Sequence, residues 1–273
     1  MKLTQDQISL FLDQGYVAVP GFFDPEETAA LQADVERLQR HGFLRNVSTD
    51  GDGATHSQTA QNLQLCQCSP YSALMRSLPF ERKVTDAVTA LIGDEVALQL
   101  DQIFLKPPGT GRGTNWHQDN AYFRIKRPVR GVAMWIAIHD ANAENGTLRL
   151  VPHAFREALE HQRDPFSDHH IFCRVDESEA ELIELKAGGV VFFCYGAPHA
   201  TGDNRSDKAR AGLAYHFIHL EETDPDFFAK RQAHPHPHLT GPEASYGEKE
   251  YGENLKGRFR VRVKELAAEA VRS

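Results

Sequence analysis

The stretch VALQLDQIFLK, residues 96–106, marks the point where the sequence changes from helical to extended patterns. After it, short runs of β-branched and aromatic residues alternate with turn residues, a pattern that predicts strands. The predicted strands cover 96–106, 132–139, 148–151, 181–185, 190–195 and 211–220. Helices first and strands later predict an α+β, mainly β fold, with the helices packed on one face of an antiparallel sheet or barrel.

The residues before this stretch carry the capping signals of helices. Thr4 and Gln7 have capping-box spacing ahead of a helical apolar face, and Asp24 with Glu27 repeats the pattern. Further helices are predicted over 71–78, 80–92 and, near the end of the chain, 263–271. Most of the helical signal therefore precedes the strands.

Two long segments lack both helical and strand periodicity. Residues 46–64 are rich in Ser, Thr, Asp, Asn and Gly and are longer than most loops of compact domains. Together with 153–178 they are predicted to be lids over a substrate site. The proline-punctuated run from His234 to His238 predicts an extended, solvated segment.

The size and composition fit one ordinary folded unit. The chain has 273 residues, of which 41% are hydrophobic and 25% charged, and all-β barrels often reach this length as one domain. We predict a single domain over 1–273, in which residues 1–95 are mainly helical, residues 96–220 form a strand-rich barrel core and residues 221–273 form a C-terminal wrap.

The charge balance and the cysteines limit the partners and the compartment. Thirty basic and 38 acidic residues give a net charge of −8, which argues against binding to nucleic acid or to an anionic membrane. The longest apolar run, 190–195, is far shorter than the roughly 20 residues of a membrane span. Four cysteines without paired spacing fit a reducing compartment, so we predict a cytoplasmic protein. With nucleic acid and membrane disfavoured, we predict a small molecule as its partner. The sequence carries no signal of an oligomeric state.

A histidine followed two residues later by an acid occurs twice, about as often as the roughly two cases that 14 histidines and 38 acids predict by chance. Residues i and i+2 of an extended chain point to one side. The first pair, His117 and Asp119, follows a strand that ends at Lys106, and His199 lies directly beyond the apolar strand 190–195. Two histidines and one carboxylate with open positions are typical of non-haem Fe(II) oxygenases.

Alternatives to these metal-ligand assignments remain at the sequence level. His117 with Asp119 could form a hydrogen-bonded surface pair, and His199 could be an ordinary core or loop histidine. The second pair, His219 with Glu221, is interpreted as the chance occurrence.

Arg210 supports the oxygenase interpretation. It lies eleven residues after His199, enough for a turn and a return on a neighbouring strand, and its planar fork suits a carboxylate. Gly212 and Ala214 share its side of the strand and leave room for a ligand, and Trp135 has similarly small same-face neighbours. The alternatives are a salt bridge from Arg210 to Asp203 or Asp207 and a core position for Trp135.

Two further polar residues, Lys106 and Gln102, share one face of the strand 96–106 by parity. They could reach a cosubstrate or substrate, or could lie at the surface.

These motifs together resemble the phytanoyl-CoA dioxygenase family of Fe(II)- and 2-oxoglutarate-dependent oxygenases. The resemblance covers most of the chain, from 3–20 through 117–119 and 134–153 to His199 and Arg210. One departure is His153-Ala154-Phe155, where the family usually has Gly-Ser-His after the proline. This departure changes a loop and no expected ligand.

The resemblance implies a double-stranded β-helix, a jelly-roll or cupin-like barrel with the N-terminal helices packed on its major sheet. It implies Fe(II) held by His117, Asp119 and His199. It further implies that Arg210 pairs with the distal carboxylate of 2-oxoglutarate, with Thr201 and Trp135 lining the cosubstrate site.

The expected reaction is dioxygen-dependent hydroxylation of an unactivated C–H bond, with release of succinate and carbon dioxide. Asp119 favours hydroxylation, because halogenating relatives lack this carboxylate. The cluster Arg124, Lys126, Arg127 and Arg130 would attract an anionic substrate or form a solvated hairpin. Acyl-CoA has little support, since no other basic cluster is available for its phosphates.

Two alternative functions remain open at this stage. One is a catalytically silent barrel that binds iron or a ligand as a sensor or structural module. The other is a cupin-like metalloenzyme that uses no keto acid.

Overall fold

The computed structural model describes residues 2–223, 226–227 and 235–272. The helices are α1 Gln5–Gln14, α2 Pro25–Arg40, α3 Ala73–Ser77, α4 Arg82–Ile92, α5 Asn120–Phe123, α6 Glu248–Tyr251 and α7 Arg258–Arg272. The strands are β1 Tyr16–Val19, β2 Arg45–Asn46, β3 Leu63–Cys66, β4 Val96–Lys106, β5 Thr114–His117, β6 Gly131–Ala137, β7 Leu148–Leu150, β8 Gln162–Arg163, β9 Ile171–Phe172, β10 Glu181–Ile183, β11 Val190–Cys194, β12 His199–Thr201 and β13 Arg210–His219.

The two N-terminal helices begin at their predicted caps. Thr4 Oγ1 accepts the backbone N–H of Gln7 at 3.2 Å, and the Gln7 side chain accepts the N–H of Thr4 at 2.9 Å. Asp24 and Glu27 make the same reciprocal pair at the start of α2. Each capping box satisfies backbone donors that the first turn would leave unpaired.

The strands form two main antiparallel sheets. The larger has the order β1-β11-β6-β13-β4-β3-β2, and the smaller has the order β10-β7-β12-β5. All six predicted strands are present, with ends shifted by at most two residues. The chain is therefore mainly β, with antiparallel sheets and helices.

The polar segment 46–64 is not wholly a loop. Its ends contribute to β2 and β3, and β3 pairs with β4 with Leu63 opposite Leu105. The sequence pattern missed these strands because β2 and β3 span only two and four residues, too few for a clear alternation of apolar and polar side chains.

The long strands β4 and β13 form the centre of the larger sheet. They pair from Arg210 opposite Lys106 to His219 opposite Val96. Helix α4 contacts β6 and β13, and its apolar face joins the main hydrophobic core through Val84, Ala87, Val88, Leu91 and Ile92. This rigid sheet fixes the side chains at the ends of its strands.

The C-terminal region returns to the body of the protein. Helix α7 begins five residues earlier than predicted and contacts α2 and α3. Of the histidine-proline run, His234 lies outside the described residues. The rest is extended as predicted but not simply solvated, because Pro237 accepts the N–H of Leu98 at 3.0 Å and His238 pairs with Ala97.

Among the described residues no helix has the length and apolar character needed to cross a membrane.

Candidate metal centre

Two neighbouring strands of the smaller sheet bring the first predicted ligands together. His117 on β5 lies opposite His199 on β12, with ring centroids 4.1 Å apart. Asp119 follows β5 immediately, and its Oδ1 lies 3.7 Å from Nε2 of each histidine. One ligand atom from each of the three side chains lies within 4.8 Å of the other two. The surface-pair alternative for His117 and Asp119 is wrong, since their side chains are only 12% and 7% exposed.

Backbone carbonyl groups fix the orientation of both imidazoles. Nδ1 of His117 donates to the carbonyl of Asn115 at 2.8 Å, and Nδ1 of His199 donates to that of Ala197 at 3.0 Å. Since a carbonyl only accepts, the proton of each neutral ring lies on Nδ1 and the lone pair lies on Nε2. Both lone pairs are therefore available beside the Asp119 carboxylate.

The electrostatics keep these groups in the protonation states of metal ligands. Burial lowers the pKa of His117 to about 3, and the neighbouring His199 adds to the effect. Burial also lowers the pKa of His199. Burial opposes ionisation of Asp119, but the three nearby histidines outweigh it and hold the pKa of Asp119 below its ordinary value. Neutral imidazoles and an ionised carboxylate fit a divalent metal such as iron.

A fourth histidine lies beside this group and was missed by the sequence reasoning. Nδ1 of His216 is 3.4 Å from Oδ2 of Asp119. His216 is buried on β13, on the same side as Arg210, Gly212 and Ala214. The alternation of sides along β13, followed two residues beyond Ala214, would have identified His216.

One cavity, of about 210 Å³, connects the histidine group with the predicted cosubstrate residues. Its lining includes the three predicted ligands and His216, and also all five predicted cosubstrate residues, Gln102, Lys106, Trp135, Thr201 and Arg210. The sequence reasoning also missed Tyr122 and His170, which contribute polar groups to this wall. No periodic signal marks either residue.

Two buried cations occupy the opposite end of the cavity. Arg210 and Lys106 are cross-strand partners on β13 and β4, and each is 1% exposed. Lys106 Nζ donates to the carbonyls of Gly146 at 3.1 Å and Gly202 at 2.5 Å, and Arg210 also donates to Gly146. Burial lowers the pKa of Arg210 to about 10, and burial with the neighbouring Arg210 lowers that of Lys106 well below its usual value.

The partners of these two cations are backbone carbonyls, with no carboxylate among the residues that the structure describes. Among residues 2–223, 226–227 and 235–272, neither Arg210 nor Lys106 forms an ion pair, so the predicted alternative of a salt bridge to Asp203 or Asp207 is not observed. Buried charge without a counterion is costly. This end of the cavity therefore fits an anion.

The space beside Arg210 differs from the sequence expectation. A Cβ atom on Gly212 would lie 2.5 Å from Nε1 of Trp135, so the indole, not a ligand, fills the space that this glycine leaves. Trp135 is 3% exposed and lies under the Arg210 guanidinium, 5.7 Å from the ring centroid. Ala214 does line the cavity.

The side chains of Thr201 and Gln102 also have defined neighbours. Oγ1 of Thr201 accepts the N–H of Thr114 at 3.0 Å, which leaves the hydroxyl hydrogen available to donate. Nε2 of Gln102 lies 3.5 Å from Nε2 of His216, so Gln102 is next to the histidine group and not next to Arg210.

Two of the four residues of the predicted basic cluster form ion pairs within the chain. Arg127 forms ion pairs with Glu222 at 2.5 Å and Glu221 at 2.9 Å, and Arg130 pairs with Glu221 at 3.1 Å. His219 is outside the metal-ligand group and its Nδ1 accepts the N–H of Glu221 at 3.2 Å. The expectation that this cluster attracts an anionic substrate therefore loses two of its four cations.

Known proteins with similar sequences include dioxygenases and a hydroxylase. The chain is 23% identical to an ectoine dioxygenase of Bordetella bronchiseptica, over 85% of this chain and 83% of that protein. It is 26% identical to a methylphosphonate hydroxylase of Gimesia maris, over 88% of this chain and 92% of that protein.

Among solved structures, the epimerase SnoN in complex with Fe³⁺, alpha-ketoglutarate and nogalamycin RO matches with a TM-score of 0.66 at 20% identity, over 79% of this chain and 83% of that chain. The likeness supports the same fold of antiparallel sheets with helices. The sequence profile described as Phytanoyl-CoA dioxygenase (PhyH) matches residues 11–212, so the chain belongs to this family and is a 2-oxoglutarate-dependent non-haem iron dioxygenase.

Proposed function

We propose that this enzyme hydroxylates an unactivated C–H bond of a small metabolite while 2-oxoglutarate is converted to succinate and carbon dioxide. The observation that carries the proposal is the pairing of two groups across one cavity. His117, Asp119 and His199 converge at one end, and the unpaired cation Arg210 lies at the other. A ferrous centre and a dicarboxylate cosubstrate need these two features together.

His117, Asp119 and His199 would hold Fe(II), and the bound metal supplies the activation of dioxygen. The contribution of the protein is to orient its ligands. The carbonyls of Asn115 and Ala197 hold the two imidazoles with Nε2 directed at Asp119 Oδ1. Asp119 would supply the carboxylate ligand that halogenating relatives lack, which favours hydroxylation over halogenation.

Arg210 would bind the distal carboxylate of 2-oxoglutarate with its planar fork. Lys106 adds a second buried donor beside it, and the Thr201 hydroxyl has a hydrogen available for the same carboxylate. Trp135 forms the wall against which this end of the cosubstrate would lie. The buried charge of Arg210 then gains the counterion that the described protein groups do not supply.

The substrate is a small molecule and not an acyl-CoA. The cavity of about 210 Å³ lies below the usual range of roughly 300–1,000 Å³ for ligand sites, and it must also accommodate the cosubstrate. Relatives named for ectoine and methylphosphonate support a compact polar substrate. Tyr122 accepts the N–H of Ile171 at 3.0 Å, so its own hydroxyl hydrogen is available to a substrate acceptor.

The two segments 46–64 and 153–178 serve as lids over this substrate. They are joined by backbone hydrogen bonds from Thr49 to Phe166 at 3.0 Å and from Gly53 to Pro165 at 2.7 Å. The second segment places His169 and His170 in the cavity wall. A second cavity of about 380 Å³ lies between the segments and shares His170 and Thr201 with the first, which gives a route for entry.

The two main sheets form the double-stranded β-helix that the family resemblance implies, with the N-terminal helices on the outer side of the larger sheet. The contacts of α4 with β6 and β13 support this arrangement. Residues 1–273 then act as a single oxygenase domain.

The direct test is substrate-dependent release of succinate. The purified enzyme is incubated with Fe(II), 2-oxoglutarate and a panel of small polar metabolites in air, and the products are analysed by mass spectrometry for addition of one oxygen atom from ¹⁸O₂. Arg210→Ala is the control, because it should lose succinate release at low 2-oxoglutarate. Iron binding without succinate release, coupled or uncoupled, from any substrate would favour a silent barrel instead.

A further inference from the structure

The two carboxylate oxygens of Asp119 have different neighbours. Oδ1 lies 3.7 Å from Nε2 of both His117 and His199. Oδ2 lies 3.4 Å from Nδ1 of His216, a residue outside the metal-ligand group. One oxygen of the side chain therefore belongs to the metal centre, and the other lies next to an imidazole on the larger sheet.

Asp119 Oδ2 and His216 Nδ1 are each other's available hydrogen-bonding groups. The side chains of Asp119 and His216 are 7% and 5% exposed, so bulk solvent has little access to them. Among the described residues, neither Asp119 Oδ2 nor His216 Nδ1 makes a regular hydrogen bond, so their 3.4 Å approach joins two otherwise unsatisfied atoms. Leaving either buried atom unpaired is costly, and at 3.4 Å each is the natural partner of the other.

The neighbours of His216 fix the ring in one orientation and one tautomer. The ionised carboxylate only accepts, so the hydrogen lies on Nδ1 and Nε2 is left to accept. Nε2 of Gln102 lies 3.5 Å from Nε2 of His216 and can donate to it. The rings of Phe123 and Tyr195 stand 5.3 Å and 6.0 Å from the imidazole, measured between centroids, and limit its rotation.

From the metal centre proposed above, we infer that His216 is a positioning residue for Asp119. Its Nδ1–H binds Oδ2 and keeps the carboxylate turned so that only Oδ1 faces the two histidine ligands. Gln102 supports it from the other side of the ring. Binding through one oxygen leaves more of the metal's positions for 2-oxoglutarate and dioxygen.

The test uses metal binding by the full-length, metal-free protein, with Co(II) as the probe. Calorimetry gives its affinity, and the visible absorption of the Co(II) complex reports the ligand geometry. We expect His216→Leu to weaken Co(II) binding roughly 10–100-fold, the usual cost of losing the outer partner of a metal ligand, and to alter the absorption spectrum. His216→Asn retains a donor near the position of Nδ1 in a side chain of similar size, so we expect it to stay within about threefold of wild type.

A matched control is His219→Asn, which replaces another buried histidine of β13 that lies away from the cavity. Wild-type Co(II) affinity is expected there. Equal losses in His216→Leu and His216→Asn, or no loss in a folded His216→Leu protein, would overturn the inference. Should His216→Leu fail to fold, Gln102→Leu is measured instead, because Gln102 holds the His216 ring. A Co(II) affinity weakened at least threefold supports the positioning role of His216, and an unchanged affinity refutes it. A wild-type protein that does not bind Co(II) would refute the metal centre itself and not the role of His216.

Discussion

The two histidine-acid pairs of this chain have the same spacing and opposite surroundings. Asp119 is buried among imidazoles, whereas the side chain of Glu221 is 58% exposed and pairs with Arg127 and Arg130. His117 directs Nδ1 to a carbonyl and Nε2 to its acid, whereas His219 uses Nδ1 to accept the N–H of Glu221. Spacing puts two side chains near each other, but only a neighbouring strand adds a third ligand.

The arginines show the same contrast. Arg127 is exposed and has two glutamate partners, and Arg210 is buried with no ion pair among the described residues. A ligand at Arg127 would have to compete with two carboxylates of the same chain and with solvent. An unpaired buried cation is therefore a better indication of an anion site than a cluster of basic residues.

The largest effect is expected from removing the acid of each pair. Asp119→Ala should lower succinate release by more than about 100-fold, since loss of even an outer partner of a metal ligand commonly costs 10–100-fold. Glu221→Ala should stay within about twofold of wild type, because exposed ion pairs contribute only about 0–1 kcal/mol. Steady-state succinate release measures both. Wild-type turnover in Asp119→Ala would remove Asp119 from the ligand set.

The arginines should differ next most strongly. Arg210→Ala should weaken 2-oxoglutarate binding by at least about 30-fold, because truncating one member of a buried charge pair costs about 2 kcal/mol or more. Arg127→Ala should leave this affinity unchanged. Calorimetric titration of the Co(II)-loaded protein with 2-oxoglutarate measures the difference. Equal affinity in the two variants would place the cosubstrate elsewhere.

The smallest effect concerns the stability of the metal-free protein in mild acid. Burial lowers the pKa of His117 to about 3, so between pH 6.5 and 5 the unfolded chain takes up a proton that the folded chain does not. Stability should therefore fall as the pH falls, by up to about 1.4 kcal/mol per pH unit for this residue. Denaturant unfolding at several pH values should show a shallower dependence in His117→Gln. Equal slopes would show that His117 is not held neutral.

Local signals in the sequence were reliable where the interaction itself is local. The capping boxes at Thr4 and Asp24 join residues three apart, and the ends of β4 match the prediction. The strand pairing of β3 could not be predicted, because it depends on backbone groups of β4 about forty residues away. β3 also spans only four residues, too few to show a clear alternation of apolar and polar side chains.

The candidate site was only partly visible in the sequence. Strand parity placed Arg210 and Ala214 on one side, and one more step would have reached His216. Parity could not show that Trp135 fills the space at Gly212, because that depends on how two paired strands and their side chains fit. It also could not show that Gln102 lies beside His216 instead of Arg210.

The sequence by itself determined the same-side placement of His117 and Asp119 and the strand that Arg210 opens, because these follow from chain geometry over a few residues. Only the tertiary structure decided which oxygen of Asp119 faces which histidine, and which cations have no carboxylate partner among the described residues. Those outcomes depend on burial and on the pairing of strands that are distant in sequence. Burial removes water as the alternative partner, so the loss of a remaining contact leaves a polar group unpaired at a high cost in free energy.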